Sequence, residues 1–249
     1  MDSETLFDGA GHEAIERMLD LPRVEILGST TSTLDVAHRL AAQGAPAGTL
    51  VIADEQTAGR GRGGKSWASS AGTGLWLTLI ERPADSSGLG VLSLRVGLAA
   101  AEALDRFAPE PIRLKWPNDL YIDQGKLGGI LVEARWREQA VEWVAIGLGV
   151  NVQAPKNVEK AAGLEEGTDR LDVLGEVVPA VVAAARATGP LDAGEMEEFD
   201  ARDLARGRRC IEPAVGRVAG ITSTGELLVA LADSVALFRS GSLVLEDGQ

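Results

Sequence analysis

Gln56-Thr57-Ala58-Gly59-Arg60-Gly61-Arg62-Gly63-Gly64-Lys65-Ser66-Trp67 places four glycines and three cations in one run that ends on a tryptophan. Glycine lets backbone N–H groups turn toward a ligand and approach it closely. Arginine and lysine add charge-assisted hydrogen bonds to carboxylate or phosphate oxygens. The chemistry on offer is therefore the binding of an anion. Composition alone leaves one alternative open, a mobile, solvated glycine-rich loop with incidental charge.

A second polar cluster follows at Lys115-Trp116-Pro117-Asn118-Asp119, where the proline breaks an extended segment and can aim side chains into a cleft. An Asx-type turn would explain Asn118 and Asp119 equally well. Lys126 stands just beyond the turn Asp123-Gln124-Gly125.

The elements that must carry these residues can be read from spacing. Residues 13–19 read as a short helix with Ala14, Ile15, Met18 and Leu19 on one side, and residues 23–27 as a strand. Residues 28–31 read as a turn, after which Ser32 is placed to cap a helix carrying Leu34, Ala37, Leu40 and Ala41. Residues 49–53 form a buried strand that delivers the chain into the glycine-arginine loop. Residues 75–80 are a further strand, and residues 89–106 a helix with Leu92, Val96, Ala99, Ala103 and Leu104 as its apolar stripe. Residues 112–116, 120–122, 126–136 and 141–150 then read as an antiparallel meander. Residues 153–169 form a surface connection, followed by helices over 171–187 and 196–204. Beyond Arg206 come short strands near 215–221, 227–231, 235–238 and 242–245. The expected class is α+β, with a mainly antiparallel mixed sheet over residues 1–205 and a small β-barrel over 206–249.

The totals narrow the function. With 249 residues, 45% of them hydrophobic and 24% charged, the chain is an ordinary globular one. Its net charge of -13 opposes an unspecific grip on nucleic acid, so the basic loop stands out. Cys210 is the one cysteine, which rules out an intramolecular disulfide and fits a buried small hydrophobe in a reducing compartment. The N-terminus carries Asp2, Glu4 and Asp8 without a basic and then apolar leader, and no stretch of 18 apolar residues occurs. The expectation is a cytoplasmic protein with no membrane partner.

Two motif matches fail on context. Gly59, Gly61 and Gly64 satisfy GxGxxG, and residues 59–66 satisfy GxxxxGKS. Both motifs need a helix immediately afterwards, whose N-terminus receives the phosphate. Residues 67–74 hold two more glycines and no apolar stripe, and a strand comes next.

A third likeness rests on four signatures in order: residues 56–62, Lys115-Trp116-Pro117-Asn118-Asp119, Lys126-Leu127-Gly128-Gly129-Ile130-Leu131 and Gly147-Leu148-Gly149-Val150-Asn151-Val152. Together they closely resemble those of biotin protein ligases, from about residue 23 to residue 152 and more weakly over the C-terminal barrel. The resemblance implies a catalytic domain similar to class II aminoacyl-tRNA synthetases and lipoyl transferases, with an SH3-like C-terminal domain. It also implies the monofunctional type, without an N-terminal DNA-binding domain; the opening segment is too short for a winged helix.

The implied activity needs biotin, ATP and Mg2+, proceeds through biotinyl-5'-AMP, and ends on a lysine of a biotin carboxyl carrier protein, with the enzyme a monomer or a homodimer. Carried over residue by residue, Arg60, Gly61 and Arg62 belong to the loop over biotin and the adenylate. Lys126 reaches the biotin carboxylate and the phosphate, and Gln56 hydrogen-bonds biotin. Ser32, Thr33 and Leu34 match a biotin-contacting Ser-Thr-Asn triplet, from which Leu34 departs. Thr33 is then the expected contact, and Ser32 either a contact or a helix cap. Lys115, Asn118 and Asp119 fall on the nucleotide side, with Asp119 set to orient the incoming amine or a metal ion; no metal ligand is assigned with certainty. Asn151 would lie near adenine, and Trp67 either stacks on the purine or belongs to the core. A non-catalytic biotin sensor and a P-loop NTPase are the competing readings; Leu34 favours the sensor, while Arg60, Arg62 and Lys126 oppose it.

Overall fold

Strand β2 (Thr49–Gln56) alternates its side chains between two cores: Leu50 and Ile52 enter the larger one, Val51 the smaller. A strand covered on both faces reads as a continuous apolar run, which is how residues 49–53 appear in the sequence. Residues 5–246 are described by the computed structural model. Asp2 and Glu4 of the acidic N-terminus, and residues 247–249 of the expected second domain, lie outside the described residues.

Around β2 the chain builds a seven-stranded mixed sheet. Strand β1 (Arg23–Thr30) pairs parallel to β2, and helix α2 (Thr33–Ala42) makes the crossover between them. The other pairings are antiparallel, through β3 (Gly74–Glu81), β7 (Ala140–Asn151), β6 (Gly125–Arg137), β5 (Asp119–Ile122) and β4 (Arg113–Lys115). The strand order is β1-β2-β3-β7-β6-β5-β4. Helices α1 (His12–Leu19), α3 (Leu92–Leu104) and α4 (Arg170–Arg186) cover the larger core, and α2 covers the smaller. Helix α5 (Ala193–Arg202) begins with a capping box between Asp192 and Glu195. A five-stranded antiparallel sheet follows, from β8 (Arg209–Glu212), β9 (Gly216–Ile221), β10 (Leu227–Ala230), β11 (Val235–Phe238) and β12 (Val244–Leu245). The α+β class, with a mixed sheet and a small C-terminal β unit, is the expected one. Among the described residues no helix is long and apolar enough to cross a membrane.

Several local expectations need correction. Of the turn expected at residues 28–31, residues 28–30 are strand instead and only Thr31 lies outside it. The parallel ladder continues as Ser29↔Glu55 and Thr30↔Gln56, and tertiary pairing overrides the turn composition. Ser32 occupies the N-cap position of α2, yet its hydroxyl makes no capping hydrogen bond. On α1 only Ile15 and Leu19 are buried, while Ala14 and Met18 face solvent. Strand β8 was not foreseen, because Arg209, Ile211 and Glu212 are exposed and only Cys210 marks a buried face.

One hydrogen bond ties the two sheets together. Trp116, 2% exposed at the end of β4, donates its indole N–H to the carbonyl of Gly225 at 3.0 Å, at the turn before β10. Trp116→Phe leaves that carbonyl without its donor, at a cost of about 1–3 kcal/mol. Equilibrium urea unfolding should show the midpoint falling by the corresponding amount; an unchanged midpoint would remove this bond from the account of how the units are held.

Candidate functional site

Strand β2 ends at Gln56, and the glycine-arginine run then folds back on itself. Trp67 N–H donates to Gly59 at 2.8 Å, Gly61 N–H to Lys65 at 2.7 Å, and Gln56 N–H to Ser69 at 3.1 Å, with a 3-10 turn at Arg62–Gly64 forming the tip. A Cβ on Gly59 would sit 2.6 Å from the Trp67 carbonyl, so this fold-back requires glycine there. No helix begins after the loop; β3 follows at Gly74.

The loop forms one wall of a cleft of about 630 Å³. Ser32, Thr33 and Leu34, between β1 and α2, line it together with Gln56. Lys115, Asn118 and Asp119 enter at the β4–β5 turn, Lys126 from β6, and Arg60, Gly61, Arg62 and Trp67 from the loop. Every expected site residue except Asn151 thus meets in one cavity.

Charge is crowded there. The lining holds five cations, Arg60, Arg62, Lys65, Lys115 and Lys126, against the single carboxylate Asp119. Lys126 Nζ lies 2.7 Å from Asp119 Oδ1 and 5.4 Å above the Trp67 ring. Arg62 Nη1 donates to Asn118 Oδ1 at 3.4 Å, joining the loop to the opposite wall. Asn118 is itself held, its amide donating to the Ile130 carbonyl at 2.8 Å. Burial pushes the Lys115 amine below its ordinary value of 10.5; Asp119 opposes this, and Lys126, Arg208 and Lys65 repel its charge further. Tyr121, also in the lining, is pushed up to about 12, first by burial and then by the Asp119 charge.

Arg60 lines the cleft, but its terminal nitrogens are already engaged. Its guanidinium does not face the cavity as a free fork: Nη1 and Nη2 donate to Glu133 at 3.0 and 3.2 Å, and Nη2 pairs with Asp35 at 3.0 Å. The reason is the fold-back, which brings Arg60 beside α2 and β6. Thr33, also in the lining, donates its hydroxyl to Gln56 Oε1 at 3.2 Å and accepts from Thr78 at 2.8 Å. Gln56 Oε1 accepts a second bond from Thr33 N–H at 2.9 Å, and Nε2 donates to Ser69 at 2.8 Å. One Gln56 N–H is left for a ligand. Ser32 Oγ, Trp67 Nε1 and Arg60 Nε, all on residues of the lining, are enclosed and have no hydrogen-bond partner, which marks them as groups a ligand can satisfy.

Asn151 stands apart from the other expected site residues. It is 4% exposed and outside the lining, with its amide donating to the carbonyls of Lys126 at 3.3 Å and Ala162 at 3.1 Å. Residues 160–162 pack along the start of β6 and cover the end of β7 where Asn151 sits, so it holds the Lys126 backbone in place.

Tyr121 and residues 241–244 of the small unit line the cleft without a sequence expectation, and Lys65 and the glycines 129, 147 and 149, which belong to the basic run and the ordered signatures, line it without an individual role assigned from the sequence. The glycines had a signal, since Gly147 and Gly149 share one face of a strand and such spacing marks close approach by another group. A Cβ on Gly149 would lie 2.7 Å from Trp67 Nε1, so the indole rests on bare backbone. Residues 241–244 had none, because only the docking of the small unit brings them to the cleft. Among the described residues no group of three or more His, Cys, Asp or Glu side chains could hold a metal ion, and Asp119 is already engaged by Lys126. The residues do not form a resident metal cage.

Comparison with known proteins completes the description. Residues 26–151 match the Biotin/lipoate A/B protein ligase family. The chain is 34% identical over 230 residues to the biotin--[acetyl-CoA-carboxylase] ligase of Paracoccus denitrificans, covering 87% of this chain and 93% of that one. It is 42% identical over 134 residues to the bifunctional ligase/repressor BirA of Bacillus subtilis, covering 53% of this chain and 40% of that protein's length, well under half of the relative. Among solved structures, biotin protein ligase from Aquifex aeolicus, in complex with biotin and ATP, superposes with a TM-score of 0.75 at 25% identity, covering 91% of this chain and 99% of that one.

Burial, with the neighbouring cations adding to it, makes a prediction about Lys115. In NMR spectra of the reductively methylated protein, Lys115 should lose its proton below 10.5, and added pyrophosphate should move that titration upward, because an anion in the cleft favours the charged amine. A titration that pyrophosphate leaves in place would show that Lys115 does not face the anion.

Proposed function

This chain belongs to the Biotin/lipoate A/B protein ligase family, and on that premise we propose that it is an ATP-dependent biotin–protein ligase. It joins biotin, through biotinyl-5'-AMP, to a lysine of a biotin carboxyl carrier protein or domain. The observation that carries this reading is the meeting of Arg62, Lys115 and Lys126 with Asp119 in one cleft.

In the first step a carboxylate oxygen of biotin bonds to the α-phosphorus of ATP, the bond to the bridging oxygen of the β-phosphate breaks, and pyrophosphate leaves. Both reactants are anions that repel each other, so fixed cations are worth most where charge builds on phosphorus. Arg62 and Lys126 supply that charge at the reacting centre, and Lys115 and Lys65 on the nucleotide side. The free Gln56 N–H suits the carbonyl of biotin's neutral ureido ring, with Ser32 Oγ beside it. Leu34 contributes an apolar wall against Gly147 instead of an amide. Trp67 presents its ring to the nucleotide, its edge braced on Trp76 with ring centroids 6.4 Å apart. Magnesium enters as the Mg-ATP substrate.

In the second step the acceptor lysine's amine nitrogen bonds to the biotinyl carbonyl carbon, the carbon–oxygen bond of the mixed anhydride breaks, and AMP leaves. Asp119, the carboxylate of the lining, orients the amine and accepts its proton. Residues 241–244 place the small unit at the rim of the same cleft, a position that supports treating residues 206–249 as a separate domain next to a catalytic domain of residues 1–205. Action in the cytoplasm, where ATP is supplied and the Cys210 thiol stays reduced, is part of the same reading.

Transfer of labelled biotin to a carrier domain, together with biotin-dependent pyrophosphate exchange into ATP, tests the proposal; steady ATP hydrolysis without biotin, or biotin binding without exchange, would overturn it. Lys126→Ala should slow exchange by about 100- to 1000-fold. Arg62→Ala should release free biotinyl-AMP, which dialysis detects; full retention of the adenylate would remove Arg62 from the closure of the site.

A further inference from the structure

The two arginines of the loop are engaged in opposite ways. Arg62 reaches across the cleft to Asn118, whereas both terminal nitrogens of Arg60 are spent on Glu133 of β6 and Asp35 of α2. Neither carboxylate lines the cleft. Glu133 is itself held from behind. Its Oε2 lies 2.8 Å from His38 Nε2, and His38 Nδ1 accepts the indole N–H of Trp143 at 2.9 Å. A ring nitrogen that accepts from Trp143 carries no proton, so in the neutral ring the proton sits on Nε2 and is donated to Glu133. Asp35 and His38 stand three residues apart on α2, on one face of the helix. A chain of contacts therefore runs from Trp143 on β7 through His38 on α2 and Glu133 on β6 to Arg60 in the loop.

We propose that Glu133, with Asp35, is a positioning residue that acts through Arg60: the pair fixes Arg60 as a strut that holds the folded-back loop against α2 and β6, so that Arg62 is presented to the reactants. A single half-exposed ion pair would contribute little. Here the guanidinium is gripped bidentately by one carboxylate and met by a second, a geometry that a lysine ammonium cannot reproduce. The two carboxylates also offset one of the five positive charges that line the cleft, that of Arg60, beside Arg62, Lys65, Lys115 and Lys126. This inference rests on the proposed ligase activity only for its kinetic arm.

The test uses the full chain, with Glu133→Gln, Arg60→Ala, Arg60→Lys and the Glu133→Gln/Arg60→Ala pair. Its first readout needs no activity: trypsin cleavage after Arg62 and Lys65 reports how often the loop opens. Glu133→Gln and Arg60→Lys should each speed that cleavage on the order of tenfold, which corresponds to about 1.4 kcal/mol of lost local stability, with global unfolding little changed. Adding Glu133→Gln to Arg60→Ala should have no further effect, since the glutamate acts through the arginine. In the kinetic arm, Glu133→Gln should raise KM for biotin and the leakage of biotinyl-AMP more than it lowers kcat for exchange. Unchanged loop cleavage in Glu133→Gln, or effects of the two substitutions that multiply independently, would overturn the proposal. If the wild-type chain shows no biotin-dependent exchange while the cleavage pattern holds, the ligase reading fails and the strut stands.

Discussion

Repulsion among like charges is the constraint to which the rest of this structure answers. Arg62, Lys65, Lys115 and Lys126 share one cleft with a single carboxylate, and the Lys115 amine, pushed down first by burial, is pushed down further by Lys126, Arg208 and Lys65 against the pull of Asp119. Such a cluster is unfavourable in the absence of an anion and persists only because the surrounding fold holds it. The holding is done by strand ends. Lys115 closes β4, Asp119 opens β5, Lys126 lies one residue into β6, and the loop hangs from the end of β2. Each side chain is thus anchored to a sheet whose inner strand β3 is buried along its whole length, while a compensating anion can enter from one side.

Bare backbone forms the other half of the site. Gly129 on β6 pairs with Gly149 on β7, and Trp67 lies directly over Gly149. The missing side chains make room for an aromatic ring to pack flat on the sheet, and the ring in turn faces the Lys126 ammonium. A fixed cation, a ring and an unmatched indole N–H are thereby assembled from residues far apart in the chain. The loop that carries Trp67 is a folded hairpin in this structure, pinned by its own backbone hydrogen bonds and by Arg60, although its composition alone also permitted a mobile segment.

The strands of the main sheet, its helices and its mixed topology were legible because apolar period and turn chemistry agree with the tertiary result along most of residues 49–150. Legibility failed where a long-range partner outweighed local preference. Residues 28–31 look like a turn, yet 28–30 are strand because β2 supplies a parallel ladder. Ser32 looks like a helix cap, yet its enclosed hydroxyl is left free beside the cleft. Asn151 lies within a glycine-rich signature but is covered by residues 160–162, a segment whose sequence carries no sign of where it packs.

By itself the sequence determined which chemistry was available: clustered arginine, lysine and glycine, a proline-broken turn with Asn118 and Asp119, and a lysine after a hairpin, in an order that resembles one enzyme family. Side-chain type and spacing are local properties, and they suffice for that. Tertiary structure alone decided how each cation is used. Arg60 and Arg62 are chemically identical and two positions apart, yet one is neutralised by Glu133 and Asp35 and the other spans the cleft to Asn118. Only the packing of the loop against α2 and β6 separates them, because the role of a charge depends on the partners within a few ångströms, and those come from parts of the chain that sequence distance does not reveal.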